Sequence, residues 1–248
     1  GVGKTTTAIN LATALAANLV VHDLKTRTRT MHPMKGPMVT QTLRDLRNSA
    51  PFHWRGDKPK LQSFNGTFEN LMGGELQTSE DMDLLADYLF SLLLHPNPNR
   101  NLDRSLPTTF NGASPPTGRD LFNQHLNHCG ICHVTPRGSD NNIDLPQEVG
   151  RVQPIKNPSL RTVYQKQNFD PQTGHTSVSG FGMLSDGTGF AMPTVHPYVL
   201  DSLTTAADFA NVTAFMMCFD TGVGLIVGYG PTVNASNKSD AGALADIA

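Results

Sequence analysis

The run Cys129-Gly130-Ile131-Cys132-His133 constrains this chain more than any other stretch of it. Thiols at positions i and i+3 share one turn of backbone and can serve one ligand together, with the adjacent imidazole beside them. Cys-x-x-Cys-His is the attachment signal for a c-type haem. The two thiols reach the two vinyl groups of one porphyrin, and the His is directed at the iron. Covalent attachment keeps a large cofactor bound in a small domain with a thin core.

Rival readings of the same residues are weaker. A redox dithiol wants a thioredoxin-like βαβ setting, and the surrounding sequence does not offer one. A zinc site built from Cys129, Cys132, His133 and His128 lacks the usual second ligand pair at a distance. A chance Cys pair in a core is the bland alternative. His128 reads as a solvent-facing neighbour of the motif. Cys218 lies in an apolar helical stretch and reads as a plain buried thiol.

Composition narrows the classes further. With 248 residues and 38% apolar content the chain can build a real core. A net charge of -2 and 16% charged residues give no basic face for nucleic acid. Three Cys, two of them in one motif, do not describe a disulfide framework. No apolar run reaches the ~18 residues of a membrane span. The 22 Gly and 17 Pro predict long ordered loops.

Periodicity predicts three helices around the motif. One covers 79–94, capped by Thr78 or Ser79, acidic in its first turn, with Met82, Leu85, Leu89 and Leu92 on one face and Pro96 as its stop. A second begins near Thr117, with Thr117 and Asp120 as a capping box and Pro115 and Pro116 just outside. Leu121, Phe122 and Leu126 form its apolar side, and it runs into the Cys motif. A third spans 202–219, with Leu203, Ala207, Ala210, Ala214 and Met217 on one side and Gly222 and Gly224 at its end. Residues 31–78 read as loops with short elements, and the stretch from Thr232 as a disordered tail. A faint internal repeat relates Thr40–Leu46 to Lys156–Val163, followed respectively by His53–Asp57 and Gly182–Gly187.

The opening residues, Gly1-Val2-Gly3-Lys4-Thr5-Thr6-Thr7 and the Ala- and Leu-rich stretch to Ala17, resemble the phosphate-binding loop and following helix of chromosome-partitioning ATPases. In that motif backbone N–H groups cradle phosphates, the Lys reaches the β/γ-phosphates and a hydroxyl binds Mg²⁺. Here the preceding strand and first glycines are absent. Asn18–Asp23 can mimic a short strand ending in Asp, but no further strand–helix alternation follows. Residues 1–17 therefore read as a helix-forming, ATPase-like fragment joined to an unrelated protein. Nucleotide binding is the remote alternative function.

From residue 31 to 230 the chain resembles the di-haem cytochrome c peroxidase family, especially its large bacterial relatives. The resemblance rests on Gly118-Arg119-Asp120-Leu121-Phe122 ahead of the Cys motif, Pro158-Ser159-Leu160-Arg161, Gly180-Phe181-Gly182-Met183-Leu184-Ser185-Asp186-Gly187, and Asp220-Thr221-Gly222. His53-Trp54-Arg55-Gly56-Asp57 is similar to the aromatic segment that follows the first haem in that family. The first haem motif of the family is not found upstream, and Ser185 stands where the family usually has His. The resemblance implies that 18–104 is the remnant of a first module and 105–231 a complete second one. It also implies that Trp54 is an electron conduit, against the plain alternative of a buried anchor. His32, Met34 and Met38 read as ordinary loop residues.

The expected fold is mostly α: a cytochrome c-like helical haem domain with long loops, preceded by a loop-rich remnant of a second such module. The expected cofactor is one covalent haem c, held by Cys129, Cys132 and His133. The sixth iron ligand is expected at Met183, whose neighbouring glycines let backbone approach the haem, with Met192 as alternative. His175, His196 and an open or water-bound position stay in play. The expected activity is one-electron transfer to a redox partner protein, with peroxide reduction as alternative. Haem c is attached outside the cytoplasmic membrane, which places the protein in the periplasm. No nucleic-acid partner and no membrane span are expected.

Overall fold

The computed structural model describes residues 20–23, 28–31, 38–124, 129–148, 153–166, 182–185, 187, 203 and 205–225; for 20–23 and 28–31 it describes backbone alone. Among these residues the chain is mostly helical, with two small two-stranded antiparallel sheets. Strands β1 (Val20–Asp23) and β2 (Thr28–Met31) pair with Val20 opposite Met31. β1 thus ends in Asp23, as its residues suggest, but its partner is an adjacent antiparallel strand. The helix expected over 4–17 lies outside the described residues.

A 3-10 turn, Leu61–Phe64, leads into the short helix α1, Asn65–Asn70. Helix α2, Ser79–Ser91, begins where the sequence predicts. Thr78 Oγ1 accepts from the Asp81 amide at 3.1 Å and donates to the Asp81 carboxylate at 2.7 Å. That reciprocal cap satisfies a donor the helix cannot. Met82, Leu85, Ala86 and Leu89 are buried against Phe52, Leu61, Phe64 and Phe68. The helix ends at Ser91, three residues short of the expected 94. Tertiary contacts compete there: the Leu92 carbonyl accepts from the Asp45 amide at 2.9 Å and the Leu93 carbonyl from Arg44 Nη1 at 2.8 Å.

Helix α3, Pro115–Asn123, corrects the expected start near Thr117. Ser114 is the cap, accepting from the Thr117 amide, and both prolines lie inside the first turn. Proline suits that turn because its missing N–H has no partner there anyway. The helix does not run unbroken into the motif. Gln124 is extended, and the motif forms its own single turn, α4, Cys129–Cys132. β3 (Ile143–Asp144) and β4 (Ile155–Lys156) form the second sheet, and a 3-10 helix, Leu160–Lys166, follows.

Helix α5, Ala206–Met217, is shorter at both ends than the expected 202–219. Thr205 caps it by the same exchange with Asp208. Its far end is gripped from the turn after α2: Asn97 Nδ2 donates to the carbonyls of Met217 and Phe219, and Arg100 to that of Cys218. These bonds take up carbonyls that every helix leaves over.

α3 and α5 cross at backbone contact. A Cβ added at Gly118 would lie 1.8 Å from the Asn211 carbonyl oxygen, so only glycine permits this approach. Around the crossing Phe122, Val212, Phe215 and Phe219 are nearly inaccessible, and Phe122 meets Phe215 edge-on at 5.2 Å between ring centres. Leu160, Val163, Leu203, Met216 and Met217 complete this core.

Candidate functional site

The motif turn sits on the edge of the α3/α5 core. Cys129 is partly buried and packs against that cluster, while Cys132 and His133 are partly exposed at its rim. The turn closes through the His133 amide on the Cys129 carbonyl at 3.0 Å. Gly130 needs its small size: an added Cβ would press within 3.4 Å of the Asn123 side chain and the Phe122 carbonyl.

Burial pushes the Cys129 thiol up from its ordinary value. Cys132 is raised too, first by burial and then by the carboxylates of Asp144 and Asp140. A redox dithiol needs a thiol pKa lowered by cationic or helix-dipole neighbours. This pair has the opposite environment, which argues against that chemistry.

His133 Nδ1 lies 2.9 Å from the Gly138 carbonyl oxygen. A carbonyl only accepts, so Nδ1 carries the proton in this contact. Burial pushes the His133 pKa down, against the raising effects of the Gly138 and Pro158 carbonyls and of Asp140 and Asp144. Burial thus favours the neutral form of the ring, and the Gly138 carbonyl orients it.

The carbonyl that holds His133 is itself fixed by the second sequence motif. Gly138 has φ +71°, and an added Cβ would meet Leu160 and Phe219 within 2.9 Å. The Leu160 amide donates to the Gly138 carbonyl at 3.3 Å, Ser159 Oγ to the Arg137 carbonyl at 2.7 Å, and Asn157 Nδ2 to Asp140 at 2.9 Å. Ser139 Oγ donates to the Asn157 carbonyl at 2.5 Å. Pro158-Ser159-Leu160-Arg161 is thus the bracket that holds the loop behind the Cys129–His133 turn.

Met183 is partly buried and packs against the same core as Cys129. Its loop turns at Gly182, φ +78°, where an added Cβ would collide with Gly187, and the Gly187 amide donates to the Leu184 carbonyl. The Ser185 carbonyl accepts from the Val39 amide at 2.8 Å, and the Val39 carbonyl accepts from Trp54 Nε1 at 2.8 Å. Trp54 is buried, and Lys166 Nζ stands 5.3 Å over its ring. The tryptophan therefore ties an N-terminal segment to the Met183 loop, whatever else it does. His32, Met34, His128, His175, Met192 and His196 lie outside the described residues; Met38 is partly buried. Cys218 is fully buried, its thiol directed at the Asn99 carbonyl and pushed up to about 11 by burial, so it is an inert thiol as expected.

Sequence reading missed Asp45, Arg137, Gly138 and Val39. Asp45 lies in the faint repeat, and nothing in that repeat reveals the two arginines it meets. Among the described residues no three His, Cys, Asp or Glu side chains gather as a metal-binding group. A haem iron takes its equatorial ligands from the porphyrin and asks the protein for axial donors alone. No helix of the described residues is long and apolar enough to cross a membrane. No family model, no curated protein and no solved structure matches this chain.

Proposed function

We propose that this chain is a c-type cytochrome that carries one covalently attached haem and passes single electrons to a redox partner protein. The observation that carries the reading is the His133 imidazole, held by the Gly138 carbonyl through Nδ1 and adjacent to two thiols at haem-attachment spacing. The donor set fits haem c. Cys129 and Cys132 would hold the porphyrin as thioethers, His133 would ligate the iron, and Met183 would supply the second axial donor, with Met192 as the alternative. The apolar cluster of Phe122, Phe215 and Phe219, against which Cys129 packs, would lie beside the porphyrin. Bound haem supplies a one-electron Fe(III)/Fe(II) couple, and a Met/His axial pair raises its potential.

This chain's own residues then set the electron's environment. Gly138 keeps the imidazole in one tautomer, and Arg137 and Ser159 keep Gly138 in place. Ile131 and Val134, exposed beside the motif, are the apolar surface a redox partner would meet first. Haem c attachment implies a periplasmic location.

The test is an optical spectrum of protein matured with the haem c machinery, ferric and ferrous, with and without carbon monoxide. Sharp ferrous bands that ignore carbon monoxide and survive acid–acetone extraction support the capped electron carrier. A high-spin haem that binds carbon monoxide and reacts with peroxide replaces it with a peroxide reductase. Absence of covalent haem overturns the reading.

A further inference from the structure

The loop that orients His133 is held from a distant part of the chain. Asp45 Oδ2 accepts from Arg161 Nη1 at 2.9 Å and faces Arg137 Nη2 at 3.4 Å, while the Asp45 carbonyl accepts from the same Arg137 nitrogen at 3.0 Å. All three side chains are largely buried: Asp45 is 18% exposed, Arg161 12% and Arg137 23%. Both arginines act on one short stretch. Arg137 belongs to it, and Arg161 Nε donates to the Pro136 carbonyl at 3.3 Å. The next residue, Gly138, carries the carbonyl on His133 Nδ1. Asp45 itself is fixed by its amide on the Leu92 carbonyl and by a left-handed backbone, φ +59°, which Asp tolerates better than most residues.

We infer that Asp45 is a positioning residue for the axial histidine: through Arg137 and Arg161 it sets where the Gly138 carbonyl stands, and thereby the orientation and donor strength of His133. The inference rests on the cytochrome reading for its redox consequence. The physical basis is the second shell. A partner on the far nitrogen of a ligating imidazole fixes the ring and raises its basicity, and a buried carboxylate shared by two guanidinium forks is a stiff anchor. The neighbouring contacts reinforce it. Asn141 Nδ2 donates to the Asn48 carbonyl at 3.1 Å, and Lys156 Nζ donates to the Ser49 carbonyl. Residues 45–49 thus form one surface on which Arg137, Asn141, Lys156 and Arg161 are seated.

Asp45→Asn is the test, because Asn keeps the left-handed backbone and an acceptor oxygen and removes the charge that holds two guanidinium groups. Arg137→Lys is the second variant; it keeps the charge and loses the fork. Asn65→Ala is the control, since it breaks a part-buried contact to the Gln77 backbone that does not touch this loop. Two readouts are taken: ¹⁵N signals of the His133 ring in haem-free protein, and the midpoint potential of haem-loaded protein. Asp45→Asn is expected to broaden and shift the ring signals and to move the potential positive, with Arg137→Lys shifting them the same way and Asn65→Ala leaving both readouts in place. Ring and potential unchanged in Asp45→Asn, or moved equally by Asn65→Ala, overturns the inference. Ring signals moved in Asp45→Asn in a protein that never takes up haem supports the positioning role while removing the cytochrome reading.

Discussion

Gly118→Ala puts a methyl group where two backbones touch. The added Cβ lies 1.8 Å from the Asn211 carbonyl oxygen, 2.4 Å from its carbon and 2.9 Å from the Val212 nitrogen. These atoms belong to a capped helix, so no flexible side chain can swing away. Reaching ordinary contact at 3.4 Å requires α3 and α5 to part by about 1.6 Å. A radial gap of 0.5–1 Å already forfeits about a quarter to a half of a dispersion contact. Phe122, Val212 and Phe215 bridge the crossing, and each is worth about 1.5–3 kcal/mol when buried. A 1.6 Å separation exceeds that gap, so the larger fraction applies: losing half from three side chains costs about 2–4 kcal/mol, and alanine returns about 1 kcal/mol of helix propensity. The net expectation is a destabilisation of about 1–3 kcal/mol, within the range for overpacked cores. Urea unfolding followed by far-UV circular dichroism measures it, as a lower midpoint at unchanged slope. A variant that equals or exceeds the parent in stability, gaining its helix propensity alone, would refute the close crossing.

Asn97→Ala strips the Phe219 carbonyl of its donor and leaves that of Met217 to Asn99; a loss of about 1–2 kcal/mol in urea unfolding is expected, and a loss below about 0.5 kcal/mol contradicts the C-terminal grip on α5. Replacing Cys129 and Cys132 together by Ala is expected to abolish haem that resists denaturing electrophoresis, whereas Cys218→Ala leaves that band intact; the reverse pattern rejects the attachment assignment. Burial pushes Lys166 from 10.5 down to about 8 in the folded chain. Between pH 8 and 10.5 the unfolded chain holds the proton that the folded one has lost, so the folded state gains stability as pH rises through that window. Parent protein should therefore gain on Lys166→Met in paired unfolding curves from pH 8 to pH 10.5, and a constant difference across that range contradicts the burial of the ammonium.

Local signals in the sequence located what a single turn can encode. Thr78 stands three residues ahead of Asp81 and caps α2 as its residues predict, whereas Thr205, with the same spacing to Asp208, caps α5 inside the span expected to be helical. The Cys129–His133 spacing and the apolar surroundings of Cys218 are likewise readable from a few neighbouring residues. The start of α3 was misplaced because Thr117 with Asp120 also fits a capping pattern, and Ser114 outcompetes it only once the Ser114 amide finds Asn211 on α5, at 2.8 Å. The helix ends were overcalled for the same reason: Leu92 and Leu93 have helical propensity, and their carbonyls are claimed by Asp45 and Arg44.

The mostly helical class, the helix that carries Met82 to Leu89 inward, and the Cys129–His133 spacing on which the haem proposal rests are all legible in consecutive residues. Tertiary structure alone decided what surrounds them: the Gly118 crossing, the Gly138 carbonyl on His133, the Val39 link from Trp54 to the Met183 loop, and Asp45 between two arginines from the other half of the chain. The division has a physical cause. Caps, spacing and amphipathic faces are energies between residues within a turn or two of each other, so they are written in consecutive letters. A carboxylate and guanidinium separated by 116 positions meet only once each part of the chain has folded around its own hydrophobic cluster.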